Sequence, residues 1–210
     1  MSEILNLEQV ISYFDKRIQE HGASPRGADW NGDVSQNVRF DQLLKVIDNP
    51  SFSLLDFGCG YGALADYLAK KNFDFDYYGF DILESALETA RVTHASQPRR
   101  TFLSQKEQIP PCDYAVASGP FNYRAGNSFE DWTRLVLAEL TFLDQVSRRG
   151  FASNFLTKYS DAERMRPDLY YADPLFLFDY CKRNFSKNVA LLHDYTIYDF
   201  TIIVRKNIST

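Results

Sequence analysis

The sequence predicts an α/β fold: a mostly parallel sheet with helices on both faces and a helical segment ahead of it. Three observations carry this. Short apolar runs at Phe52–Leu55, Tyr77–Phe80, Thr101–Leu103, Asp113–Ser118 and Phe151–Leu156 alternate with stretches of helical periodicity. Leu54–Leu64, LLDFGCGYGAL, runs from an apolar strand through closely spaced glycines into a helical pattern. At the end of the chain, Val189–Leu192 and Tyr198–Arg205 are separated only by His193–Ile197, a connection short enough to demand an antiparallel pair.

Composition bounds the class. A chain of 210 residues buries roughly 70% of its unfolded surface as one domain. Hydrophobic residues at 45% and charged residues at 24% are ordinary for a globular protein. The 13 Tyr and 17 Phe suit core packing and also an aromatic-lined pocket. A net charge of −5 supplies no basic field, so no nucleic-acid partner is expected. Arg99-Arg100 and Arg148-Arg149 read as solvated ends. Cys59, Cys112 and Cys181 lack metal-like spacing, so they read as buried thiols in a reducing compartment, and no metal is expected. The acidic start MSEILNLEQ and the absence of a long apolar run lead to an expectation of a cytoplasmic protein without a membrane partner. Nothing in the sequence speaks to oligomeric state.

Taken in order, residues 4–20 place Ile4, Leu7, Val10, Ile11 and Phe14 at helical spacing. Residues 21–33 are a Gly/Pro/Asp/Asn-rich loop. A second helix capped by Asp33 or Ser35 carries the stripe Phe40, Leu43, Leu44, Ile47 and stops at Asn49-Pro50. Residues 1–49 thus read as a helical cap and 50–210 as the core of a single domain, 1–210. Trp30, Gln36 and Arg39 border the apolar stripe. They are either surface groups around a core tryptophan or a cover for a ligand, in which Arg39 could take a carboxylate bidentately.

Asp56 ends the first strand, and Gly58, Gly60 and Gly62 follow. Glycines let a loop turn tightly and bring bare backbone against a ligand. Gly58, Gly60 and Ala63 formally fit a dinucleotide fingerprint. Asp56 argues against it, because its carboxylate would stand beside a pyrophosphate. A carboxylate suits an ammonium or sulfonium group, and S-adenosylmethionine has both. Asp81 ends the second strand at the distance where an acid accepts ribose hydroxyls.

Asp56, the G-x-G-x-G loop and Asp81, in this order, resemble the class I S-adenosylmethionine-dependent methyltransferases over residues 50–206. The resemblance implies a Rossmann-like, seven-stranded sheet closed by an antiparallel hairpin. It implies S-adenosylmethionine as cofactor, S-adenosylhomocysteine as product and a small-molecule acceptor. It implies cofactor contacts from Asp56, Gly58, Cys59, Gly60, Tyr61, Gly62, Asp81, Ile82, Ser118 and Gly119. The pattern of Trp30, Gln36, Arg39 and Phe40 is similar to one ahead of the glycine loop in some small bacterial members. It adds Gln36 and Arg39 to the cofactor side, with Arg39 on the methionine carboxylate.

Further along, Leu83–Thr93 is helical and Gln105–Pro111 is a loop. Gly119–Tyr123 follows the fourth strand, where open α/β sheets bind ligands. Ser118–Phe121, SGPF, resembles the (N/D/S)-P-P-(Y/F) loop of methyltransferases acting on nitrogen, with Gly119 as the departure; oxygen and nitrogen acceptors both stay open. Phe121 reads as an apolar wall or a core plug, Asn122 and Tyr123 as polar contacts, and Asn154 and Trp30 as further acceptor-side residues. Phe129–Val146 is a long helix. Thr157–Tyr171 reads as an irregular lid with Tyr159, Tyr170 and Tyr171, and Asp173-Pro174 opens a helix.

Methyl transfer from a sulfonium needs alignment more than a strong base, so no catalytic residue is assigned; His193 reads as surface. The alternatives are a nicotinamide oxidoreductase, a non-catalytic S-adenosylmethionine-binding protein, and a nucleic-acid or protein methyltransferase.

Overall fold

Strand β1 (Ser51–Phe57) is central, with β2 (Asp74–Phe80) and β3 (Arg100–Leu103) on one side and β4 (Cys112–Ser118) and β5 (Ser147–Thr157) on the other, all parallel. The computed structural model describes residues 5–30 and 32–206. A two-residue strand, β6 (Tyr171–Ala172), pairs with the carboxyl end of β5. The last pair is β7 (Asn188–Leu192) and β8 (Asp199–Arg205). Strand β8 inserts antiparallel between β5 and β7, giving the order β3-β2-β1-β4-β5-β8-β7. This is the mixed seven-stranded sheet with a terminal hairpin that the sequence led us to expect.

Period-two alternation sends neighbouring strand residues to opposite faces. Leu54, Tyr77, Tyr114 and Val116 pack with α2 (Asp33–Leu43), α3 (Ala63–Lys70) and α4 (Glu84–Thr93). Leu55, Phe80, Ala115 and Ala117 pack with α1 (Glu8–His21), α5 (Phe129–Val146) and α6 (Pro174–Asn184). All three cysteines are free and buried. Asp173 caps α6 by accepting the Leu175 and Phe176 N–H groups at 3.0 and 3.4 Å, a device worth about 1 kcal/mol.

Several boundaries differ from the sequence reading. Helix α1 starts at Glu8; Ile4, assigned to its stripe, lies outside the described residues. Neither Asp33 nor Ser35 caps α2: Gly32 holds the cap position, and the Ser35 hydroxyl accepts from Arg39. Strand β5 starts at Ser147, because the charged stretch ahead of Phe151 shows no apolar alternation yet still pairs with β4 and β8. The expected lid is bolted down. Tyr170 is 1% exposed, its N–H donates to Asn122 O, and its ring lies 4.9 Å from that of Phe129. Arg124 donates to Pro167 O and Leu169 O. Tyr171 accepts the Arg166 N–H, and Tyr159 alone of the three is largely exposed.

Candidate functional site

The carboxyl ends of β1, β2 and β4 open into a cavity of about 300 Å³, roofed by α1 and walled by Trp30 and α5. Open α/β sheets bind ligands at this position. The glycine loop folds back on β2: the Gly58 and Cys59 N–H groups both donate to Phe80 O, at 2.7 and 3.0 Å. Gly58, Gly60 and Gly62 all have positive φ. Gly60, at φ +53°, is the telling one, since a Cβ there would meet no protein atom within 4 Å. That loop backbone faces open space and is bare.

Two buried carboxylates flank it. Asp81 Oδ2 accepts the Gly60 N–H at 2.8 Å and Oδ1 accepts the Leu83 N–H at 3.0 Å, so one side chain ties the loop to the start of α4. Burial raises its pKa, and the backbone N–H donors work against that. Asp56 is 2% exposed and accepts the Tyr77 hydroxyl at 2.6 Å. Burial, with the Asp81 charge adding to it against the Tyr77 bond, pushes Asp56 up to about 7. Among the described residues, neither carboxylate has an ion-pair partner.

Of the expected cofactor-side residues, Asp56, Gly58, Cys59, Gly60, Tyr61, Asp81, Ile82, Ser118 and Gly119 line the cavity, as does Gln36. Gly62 lies behind the loop, where a Cβ would come within 2.7 Å of His94 Nε2. The Tyr61 hydroxyl donates to Gln36 Oε1 at 3.4 Å, and the buried Ser118 hydroxyl has no partner. Gly119, at φ +71°, is required by close approach, since a Cβ would fall 2.3 Å from the Trp30 ring.

Arg39 requires a correction. Its Nε and Nη2 donate to the two Asp199 carboxylate oxygens at 2.9 and 2.6 Å, and Nη1 donates to the Ser35 carbonyl and hydroxyl oxygens. Its guanidinium lies 4.1 Å from the Trp30 ring centroid, and it does not line the cavity. The fork that would hold a ligand carboxylate is already filled by Asp199. Asn154 belongs to the same cluster, with Nδ2 donating to Asp199 Oδ2 at 3.0 Å, and is fully buried away from the cavity.

The acceptor-side group divides. Trp30 and Phe121 line the cavity. Phe121 is also 3% exposed and stacks on Phe155 at 5.8 Å, so wall and core plug are one residue. Asn122 and Tyr123 face elsewhere. Asn122 Oδ1 accepts the Leu156 N–H at 3.1 Å, and Tyr123 stacks on Tyr13 at 4.1 Å. His193 is exposed.

The sequence reading missed three features. Tyr77 reaches Asp56 through strand register, which no local pattern reveals. Lys106 donates to both Glu139 oxygens at 2.5 Å in the cavity wall; an acid amid the apolar stripe of α5 was the available signal. The face of α1 bearing Val10, Phe14 and Ile18 also lines the cavity, where the periodicity alone implied only packing.

A methyltransferase domain family model matches residues 16–151. The chain is 49% identical over 155 residues to the "Putative methyltransferase Rv1506c" of Mycobacterium tuberculosis, covering 74% of this chain and 93% of that one. Among solved structures, magnesium protoporphyrin IX methyltransferase (ChlM) from Synechocystis PCC 6803 with bound SAM superposes with TM-score 0.66 at 16% identity, covering 99% of this chain and 100% of that one. The N-methyltransferase NodS from Bradyrhizobium japonicum WM9 gives TM-score 0.64 at 12% identity, with coverage of 93% and 97%. At such identities the two structures are a likeness of fold. No helix among the described residues is long and apolar enough to cross a membrane.

Proposed function

The chain belongs to the methyltransferase domain family, and on that premise we propose that it moves a methyl group from S-adenosylmethionine to an oxygen or nitrogen of a small-molecule acceptor. The observation that carries this reading is the pair of buried carboxylates, Asp56 and Asp81, that flank the bare Gly60 backbone with no cation among the described residues to neutralise them. Buried charge persists when it is paired or hydrogen-bonded, and the cofactor's ammonium and ribose hydroxyls supply those partners. The open space at Gly60 is where a Cβ would obstruct such a ligand.

In this assignment Asp56 takes the ammonium and Asp81 the ribose diol. Ile82 covers the base, and Ser118 lines the same side of the cavity. When bound, the cofactor would supply a methyl on a cationic sulfur, with the bond pair left on sulfur as an acceptor lone pair forms the new bond. Trp30 and Phe121 then exclude water and align the acceptor; orientation of this kind contributes about 7–11 kcal/mol. No base is assigned, and the acceptor's proton would reach solvent as the methylated product leaves the cavity. Residues 1–49 act as the cap and 50–210 as the catalytic core.

Calorimetric titration with S-adenosylmethionine tests the reading. The wild type should bind it, and Asp81→Ala should bind at least about tenfold more weakly, the loss of one charge-assisted hydrogen bond. A wild type without affinity, or a folded Asp81→Ala with unchanged affinity, would overturn it.

A further inference from the structure

We infer that the methyl acceptor is a largely apolar small molecule seated under α1, and that a polyhydroxylated acceptor such as a free sugar is rejected there. The inference rests on the methyltransferase reading and extends it to the other half of the same cavity.

The cavity is chemically lopsided. On the strand-end side its two carboxylates, Asp56 and Asp81, have no cation among the described residues. The opposite side is the underside of α1, with Val10, Phe14 and Ile18 on one helical face, and the facing turns of α5, with Trp132 and Leu135. Among the described residues, the α1 and α5 side chains that line this side leave no hydrogen-bonding group over. The Trp132 indole N–H donates to Phe121 O at 2.7 Å. Lys106 and Glu139 at the edge satisfy each other at 2.5 Å. A hydroxyl buried against this wall would lose water and gain nothing, and that desolvation opposes polar acceptors. Apolar surface placed there gains by leaving water.

The cofactor does not account for this face. Its ammonium and ribose belong at Asp56 and Asp81 and its adenine at Ile82, all on the strand-end side, so the face of α1 is left over. The face is also held in place rather than merely collapsed. Asn6 N–H donates to Asn127 Oδ1 at 2.8 Å, Ser85 donates to Asp15 Oδ1 at 2.5 Å, and Tyr13 donates to Asp29 Oδ2 at 2.8 Å. These contacts fix the helix from outside while its apolar side stands over the cavity.

The test uses the intact protein saturated with S-adenosylhomocysteine, titrated with 2-naphthol as apolar probe and methyl glucoside as polar probe. Naphthol should bind without displacing S-adenosylhomocysteine, and the glucoside should bind at least about tenfold more weakly or not at all. Phe14→Asp should weaken naphthol at least about tenfold while leaving S-adenosylhomocysteine affinity within about threefold, and Phe14→Leu should retain naphthol. If Phe14→Asp does not fold, Ile18→Asp, one turn on, replaces it. Naphthol that competes with S-adenosylhomocysteine, fails to bind, or ignores both aspartate variants overturns the inference, as does a glucoside that binds better. A wild type that binds no S-adenosylhomocysteine overturns the methyltransferase reading instead, so the two failures are separate.

Discussion

Asp56 and Asp199 stand at the same end of one sheet, and both are almost wholly buried, at 2% and 0% exposure. Their surroundings differ. Asp199 receives two donors from Arg39 and one from Asn154. Burial pushes its carboxyl upward, and the guanidinium works against that. Among the described residues, Asp56 has only the Tyr77 hydroxyl, and it rises to about 7, chiefly through burial. A buried carboxylate with an internal cation is part of the framework. One without a cation is either protonated or waiting for a cationic ligand. The contrast separates structure from function more sharply than burial does.

The largest effect should come from breaking the internal pair. Arg39→Ala leaves Asp199 buried and unpaired and should cost about 3–5 kcal/mol of stability by urea unfolding. Cofactor affinity per folded molecule should hold. Unchanged stability with selective loss of carboxylate-bearing ligands would return Arg39 to the ligand. Next, Asp56→Asn should leave stability equal or raised while weakening S-adenosylmethionine by about 10- to 100-fold, the worth of one charged hydrogen bond. An equal stability loss in the two variants would erase the contrast.

The smallest effect is a pH dependence. A carboxyl raised in the folded state favours folding below its ordinary range and loses that contribution as pH climbs through about 7. The ligand-free protein should therefore lose stability relative to Asp56→Asn between about pH 4 and 7. Binding a cation needs the carboxylate, so S-adenosylmethionine affinity should fall roughly eightfold from pH 7.5 to pH 6. Proton release on binding, read by calorimetry in buffers of different ionisation heat, should vanish in Asp56→Asn.

The half of the site built from contiguous sequence was legible in the sequence. Asp56, the glycines and Asp81 lie on one strand–loop–helix–strand unit, where local spacing fixes geometry. The other half was not, because its geometry comes from contacts between distant segments. Arg39 looked free beside an apolar stripe, yet its partner lies 160 residues away. Asn122 and Tyr123 followed a strand end that points at the cavity, but Asn122 turns to Leu156 and Tyr123 to Tyr13. Tyr170 looked like lid material because charge surrounds it, and the segment's backbone pairing with Asn122 buries it. The fold itself was readable because alternation and turn length act locally, including the short link that made β7 and β8 antiparallel.

The insertion of β8 between β5 and β7 also bears on synthesis. A ribosome releases the chain from its amino end, and domains complete as their last elements emerge. Here an earlier segment waits for a later one, since Arg39 finds Asp199 only once β8 is in place. Until then the sheet lacks an inner strand, and the guanidinium beneath Trp30 has no carboxylate to hold it. A nascent chain stopped at β7 would carry the whole glycine loop and an unanchored cap. Anchoring of the cap is therefore a property acquired only after β8 has been made.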